Sequence, residues 1–409
     1  MLIASTKGGE SISLASSKLS REALKALEKH YGFYCPVCRA PLLLKSGEKR
    51  RWHFAHQSHH ACLVDNEPET AAHLSGKEDL LYWCEVAGRS PRLEFYLPAL
   101  RQRPDVYLPG IEPTVLEYQC SMIPEERFAA RSKGYVDARI TPVWIIGAGH
   151  YHGHRNKIRL SGFTSMAIRQ SRASPDAHPF ASSYYVCFYD PSAKCFRYSH
   201  CLSPISKTLF ISQESCVTLS DCKPYQLLAP TYVFLPRLFS QSWLMMKKSI
   251  RLAVPKHMTR EEYTLRALAY GLRQHFAYFP GYVGLPHHAF VQFVNPPLLW
   301  QMWLFLLMGI SEPGHRFTPR RIIHEAVIRG LGNLFMLRNL PLCTIKTVEQ
   351  LVIIYLEQLV RLRIAEKSSG SYRIKQLPKR EESISALLNE DRVMLKRLEM
   401  ALYADPIHE

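Results

Sequence analysis

Two groups of side chains have the types and spacing to do chemistry. The first is Cys35-Pro-Val-Cys38, followed after fourteen residues by His53-Phe-Ala-His56. A C-x2-C turn and an H-x2-H turn each offer two ligands, and zinc takes four N or S ligands in a tetrahedron. Cys62 is an alternate ligand, and His59 and His60 crowd the same stretch. A site filled by four protein ligands leaves no open position, so its expected role is structural. Lys45, Lys49, Arg50 and Arg51 beside it suit either a basic face or an ordinary solvated run.

The second group is acidic. Asp105 opens one extended run, Glu117 sits in the next, and Gln119 follows two residues later on the same face of its strand. Neighbouring strands can bring the two carboxylates together, and such a pair is costly in a sheet interior unless paired or metal-bound. Mg²⁺, or Mn²⁺, takes hard oxygen ligands of this kind and leaves room for water and a substrate phosphate. Upstream, Glu69, His73 and Lys77 recur at i, i+4 and i+8 of one helix. Glu69 there is a candidate third metal contact, and His73 and Lys77 are candidates for binding phosphate or orienting water. A solvent-facing ion-pair ladder fits the same stripe.

The elements that must position these groups follow from the pattern. Ser20 caps a helix, REALKALEKH, behind a short hairpin of LIAST and SISL. A strong helix is expected from about Glu69 to Val86. The runs 92–98, 104–109 and 114–119 read as strands, EERFAARSKGYVDAR as a helix after Pro124, and VWIIG as a buried strand. A strand returning after a helix implies parallel pairing. Residues 184–236 suggest further short strands, either a domain of their own or an extension of the core sheet, and the chain from about 257 is mainly helical, ending in a helix and hairpin similar to those of small winged domains. The expected division is 1–65, an N-terminal helix and zinc knuckle; 66–150, an α/β core; 151–250, a mixed β-rich connection; and 251–409, a helical basic domain.

Bulk properties restrict the setting. No signal-peptide pattern opens the chain, and the most apolar run, Pro296 to Ile310, is shorter than a bilayer span. A cytoplasmic protein is expected, and its eleven cysteines then suit metal ligands and core thiols rather than disulfides. Residues 1–150 hold 19 Lys+Arg against 17 Asp+Glu, so the net charge of +17 leaves 33 against 18 in residues 151–409. That excess suits a polyanionic partner. Arg266, Arg273, His275, Phe276, Arg316, Arg320 and Arg321 place basic and aromatic groups together in this part.

The pattern E69-x3-H73-x3-K77, RPD105V and E117YQ119CS, in helix-strand-strand-strand-helix-strand order, resembles the PD-(D/E)xK nuclease superfamily. With CPVC…HFAH in front, and Arg127, Arg131 and Tyr135 on the helix before VWIIG, the chain resembles the competence protein CoiA family. The resemblance implies a restriction-endonuclease-like core in which Asp105 and Glu117 hold Mg²⁺ and hydrolyse phosphodiesters. Arg127, Arg131 and Tyr135 would contact nucleic acid. It implies incoming single-stranded DNA or a recombination intermediate as substrate, and recombination proteins such as the strand-exchange recombinase as partners. Gln119 stands where the superfamily has its Lys; Lys77 is the candidate substitute. The alternative is a mediator that binds DNA on a degenerate nuclease fold without cutting it.

Overall fold

The computed structural model describes residues 1–409 except 16–18, 48–50, 58–61, 63–68, 174–176, 254–256, 312–313, 376–382 and 405–409. Lys49, Arg50, His59 and His60 lie outside the described residues.

The N-terminal layer is one antiparallel sheet. β1 (Ile3–Ser5) and β2 (Ser11–Ser13) form the expected hairpin, and α1 (Arg21–Tyr31) follows. Ser20 Oγ accepts the Ala23 N–H at 3.2 Å, which satisfies one of the open donors at the helix start. β3 (Phe33–Tyr34), β4 (Pro41–Lys45) and β5 (His53–His56) complete the strand order β2-β1-β3-β4-β5. Leu24, Phe33, Leu42 and Phe54 close its small core around Cys35 and Cys62.

The central layer begins with α2 (Ala71–Val86), capped by Thr70. Next come β6 (Arg92–Leu93), β7 (Val106–Leu108), β8 (Thr114–Gln119), α3 (Glu125–Asp137) and β9 (Thr141–Gly147). β7 and β8 are antiparallel, whereas β8 and β9 are parallel, joined by the α3 crossover. Of the first expected strand, 92–98, only Arg92–Leu93 pair with β7, and Leu97 makes a single bridge to Gln102, because Glu94 has a φ of 47°, which turns the chain out of extended geometry.

The division expected at residue 150 runs through one continuous sheet. After β10 (Gly153–His154), β11 (Lys157–Arg159), α4 (Gly162–Met166) and β12 (Arg169–Gln170), the long strands β13 (Tyr184–Asp190), β14 (Cys195–Pro204) and β15 (Leu209–Thr218) join the same sheet. Its order is β10-β11-β15-β14-β13-β9-β8-β7-β6, with β9 and β13 parallel. Both sides are covered. Leu74, Leu80 and Trp83 of α2 pack with Leu116, Tyr118 and Ile145, and Phe128 of α3 packs with Trp144, Ile146 and Phe163 on the opposite side.

The C-terminal part is mainly helical, as expected: α5 (Pro236–Leu252), α6 (Arg260–Gly271), α7 (Pro297–Ile310), α8 (Pro319–Ile328), α9 (Val348–Arg361) and α10 (Ile384–Ala404). β16 (Arg316–Phe317), β17 (Ala365–Ser368) and β18 (Ser371–Ile374) add a small sheet. The apolar run forms α7, which is buried at the centre of this part's core. Among the described residues no helix is long and apolar enough to cross a membrane.

Candidate active site and metal centre

The knuckle turn is built by backbone geometry. Cys35 N–H donates to the Ala40 carbonyl at 2.8 Å and Arg39 N–H to the Cys35 carbonyl at 3.0 Å, with Arg39 at a φ of 63°. Val37 N–H approaches Cys35 Sγ at 3.4 Å. The β4–β5 pairing then brings His56 over this turn, where its Nε2 lies 3.4 Å from Cys38 Sγ. The ligand atoms of Cys35, Cys38, His56 and Cys62 all lie within 4.8 Å of one another, a group that could hold a metal ion.

His53 is not in that group, contrary to the H-x2-H reading. Residues three apart on a strand point to opposite sides, and His53 Nδ1 instead meets the Arg51 carbonyl at 3.0 Å. Cys62 fills the fourth place. Burial pushes the Cys35 thiol up to about 12, so the thiolate there needs a cation beside it.

The second site lies where β7, β8, α2 and α3 meet. The β7–β8 register pairs Val106 with Leu116, and one step further it sets Asp105 opposite Glu117. Asp105 Oδ2 accepts the Tyr118 N–H at 2.8 Å and lies 3.4 Å from His73 Nε2. Burial works against its ionisation, but His73, Lys77 and the Tyr118 N–H outweigh that and hold its carboxyl below the ordinary carboxylate range.

Glu117 behaves in the opposite way. Arg131 Nη2 and the Tyr135 hydroxyl each donate to its Oε1 at 2.5 Å. Burial, helped by the charge of Asp105 and opposed by Arg131, nevertheless pushes its carboxyl up to about 7.

The helix stripe is neither solvent-facing nor aimed at Glu117. Lys77 is 1% exposed and paired with Glu69 and Glu94, with Asp105 Oδ1 at 3.9 Å. Burial alone would lower the Lys77 pKa; Glu94, Glu69 and Asp105 reverse that and raise it. Glu69 also pairs with the Met1 amino group, and His73 Nδ1 lies 4.0 Å from it. Lys77 therefore sits on the α2 side of the sheet. Glu117 and Gln119 alternate with Leu116 and Tyr118, which point to α2, so they face the α3 side. Lys77 meets the acid pair at Asp105 rather than beside Gln119. Gln119 Nε2 itself donates to the Ser121 carbonyl at 2.9 Å.

Glu94 was missed by the sequence reading. It is buried, takes the Leu2 N–H at 3.0 Å and the Ile3 N–H at 3.1 Å on its carboxylate, and pairs with Lys77. The only signal was an acid inside an alternating run, which reads equally well as a solvent face. Of the residues expected to touch nucleic acid, Tyr135 is closed off by burial and serves Glu117. Arg131 is bound to Glu117 and lies over the Trp144 ring at 5.4 Å. Arg127, one turn earlier, remains half-buried.

Comparison with known families covers most of the chain. Residues 16–65 match the family model described as the N-terminal domain of competence protein CoiA, 69–232 its nuclease-like domain, and 238–388 its C-terminal domain. A curated relative, competence protein CoiA of Bacillus subtilis (strain 168), is 29% identical over 299 residues, 72% of this chain and 76% of the relative. No solved structure matches. The three consecutive domain matches, laid over the thiol–imidazole cluster and the opposed acids, establish that the chain belongs to the competence protein CoiA family.

Proposed function

We propose that this protein processes DNA during natural transformation, hydrolysing phosphodiesters with a divalent cation held by Asp105 and Glu117 on a PD-(D/E)xK-like core. The observation that carries the reading is the opposed carboxylate pair, in which burial and the charge of Asp105 push Glu117 up to about 7. Oxygen-only donors of this kind suit Mg²⁺ or Mn²⁺. When bound, the ion would neutralise phosphate charge and make water a better nucleophile.

The side chains have distinct parts. Lys77, Glu69 and Glu94 balance one another on the α2 side and keep Asp105 fixed by charge. His73, half-buried beside Asp105, is placed to orient water or hold a phosphate oxygen. Arg131 holds Glu117 and can share its guanidinium with an approaching phosphate. Incoming single-stranded DNA or a recombination intermediate is the substrate class this reading assigns, with recombination proteins as partners. Zinc is the metal that fits three thiols and one imidazole, and its part is structural.

The experiment is incubation of labelled single-stranded, duplex and branched DNA with the protein and Mg²⁺, Mn²⁺ or chelator. Cleavage should need the ion and vanish in Asp105→Ala and Glu117→Ala while binding persists. One observation favours a second reading: Gln119 is tied to Ser121 and Lys77 meets only Asp105 of the pair, so among the described residues no Lys stands beside Glu117. DNA bound by the active-site acids' parent protein but never cut, with any of these ions, would make it a non-catalytic mediator.

A further inference from the structure

Residues 297–375 run helix, strand, helix, helix, strand, strand: α7, β16, α8, α9, β17, β18. The strands pair antiparallel in the order β16-β18-β17, and α8 packs on α9, which packs on β17. This is the arrangement of a winged helix, with β17–β18 as the wing. Architecture by itself assigns no function, so the surface must.

The register sets Arg316, Arg373 and Glu366 in one row across the sheet. Glu366 Oε1 takes Arg373 Nη2 at 2.6 Å and lies 3.7 Å from Arg316 Nη2, so one carboxylate faces two guanidiniums. Lys375 follows on the same face, its N–H continuing the ladder to the Ile364 carbonyl at 2.9 Å. All three cations are exposed. Beneath them Phe317 and Tyr372 are buried and fix the sheet to the core. At the tip Ser369 and Gly370 both have positive φ, 47° and 73°, the geometry of a tight two-residue hairpin turn. The flanking Ser368 and Ser371 are small enough to admit a close phosphate backbone. Residues 314–375 hold 11 Lys+Arg against 4 Asp+Glu.

We infer that this wing is a second nucleic-acid site, at which Arg316, Arg373 and Lys375 grip the phosphate backbone of duplex DNA without reading its sequence. Two features select that partner. The helix that would enter a groove, α9, turns Gln350 and Ile353 outward, its Glu349 is bound to Arg320 at 3.0 Å, and its one basic residue, Arg361, lies in the last turn 3.8 Å from Glu357, so its first turns offer no basic group to base edges. The Phe and Tyr side chains of this stretch, Phe317, Phe335, Tyr355 and Tyr372, are all buried, which removes the stacking platform that unpaired strands use. The wing stands apart from the Asp105–Glu117 reading and does not depend on it.

The test uses the full chain carrying Asp105→Ala, in chelator, so that cleavage plays no part. Binding to labelled duplexes of unrelated sequence is followed by anisotropy across a salt series. Combining R316Q, R373Q and K375Q should weaken duplex binding about tenfold at ~0.1 M salt and flatten the salt slope by about 2 to 3, since each lost phosphate contact removes about 0.9. Q350A with I353A should change neither. Thermal melting checks folding; if the triple variant melts early, K375Q alone should still flatten the slope by about 1. Unchanged affinity and slope, or a loss confined to single strands, would overturn the inference. So would a change in sequence preference on altering α9.

Discussion

Asp105 and Glu117 are chemically the same group in opposite states. Asp105 is held ionised by His73, Lys77 and a backbone N–H, whereas burial and Asp105 itself push Glu117 up to about 7. Because the folded value of Glu117 is raised, its proton is retained below about pH 7 and a divalent ion must displace it there. Activity titrations should therefore need about tenfold more Mg²⁺ at pH 6 than at pH 8. The same requirement at both values would mean that Glu117 does not hold the ion. At the knuckle, Cys62→Ser should lose zinc by metal analysis and His53→Ala should keep it, because His53 faces away from the cluster. The C-x2-C and H-x2-H spacing made the site visible. The choice between His53 and Cys62 was not visible, since it depends on which side of β5 meets the turn.

At the scale of elements, the seating of α2 on β8 decides where every polar group points. Gly76 permits it: a Cβ there would lie 2.1 Å from Tyr118 Cε1. Ala normally favours a helix over Gly by about 1 kcal/mol, yet Gly76→Ala should lower stability by ~1–3 kcal/mol through overpacking. Tyr118→Leu should restore much of the loss in a thermal melt; a more stable Gly76→Ala protein would refute this seating. The helix, the β8 strand and its parallel partner were legible from period and capping residues, and Thr114–Gln119 matches the strand read from TVLEYQ. The side on which Lys77 lies was not. Spacing along α2 shows that Glu69, His73 and Lys77 share a stripe, but only the packing of Leu116 and Tyr118 against α2 shows that Glu117 points away from it. Glu94 escaped for a related reason, because its turn out of the strand breaks the alternation on which the reading relied.

Across the whole molecule, the sheet carries the acidic site into strands that sequence alone left open as a separate domain or an extension of the core sheet. β13 joins β9 in parallel, a long-range pairing with no local signature. In the C-terminal part, Asp391 of α10 binds Lys247 at 2.6 Å and Arg251 at 2.7 Å, all three buried. Arg251 also donates to the Ala277 and Phe279 carbonyls. Removing the one acid leaves two buried cations, so Asp391→Ala should destabilise by about 3–5 kcal/mol in denaturant unfolding. A loss under ~1 kcal/mol would show that α10 is not clamped there. His178, which meets Glu399 Oε1 at 2.9 Å, ties the same helix to the chain just before β13.

The central claim is that Asp105 and Glu117 together take a divalent ion when phosphate is present. It is tested most directly by titrating Mn²⁺ by electron paramagnetic resonance, with and without an uncleavable phosphorothioate strand. The account predicts one Mn²⁺ per chain, bound more tightly with the strand, and lost in both Asp105→Asn and Glu117→Gln while zinc content stays constant. Mn²⁺ binding that survives both substitutions, or none with the strand present, would contradict it.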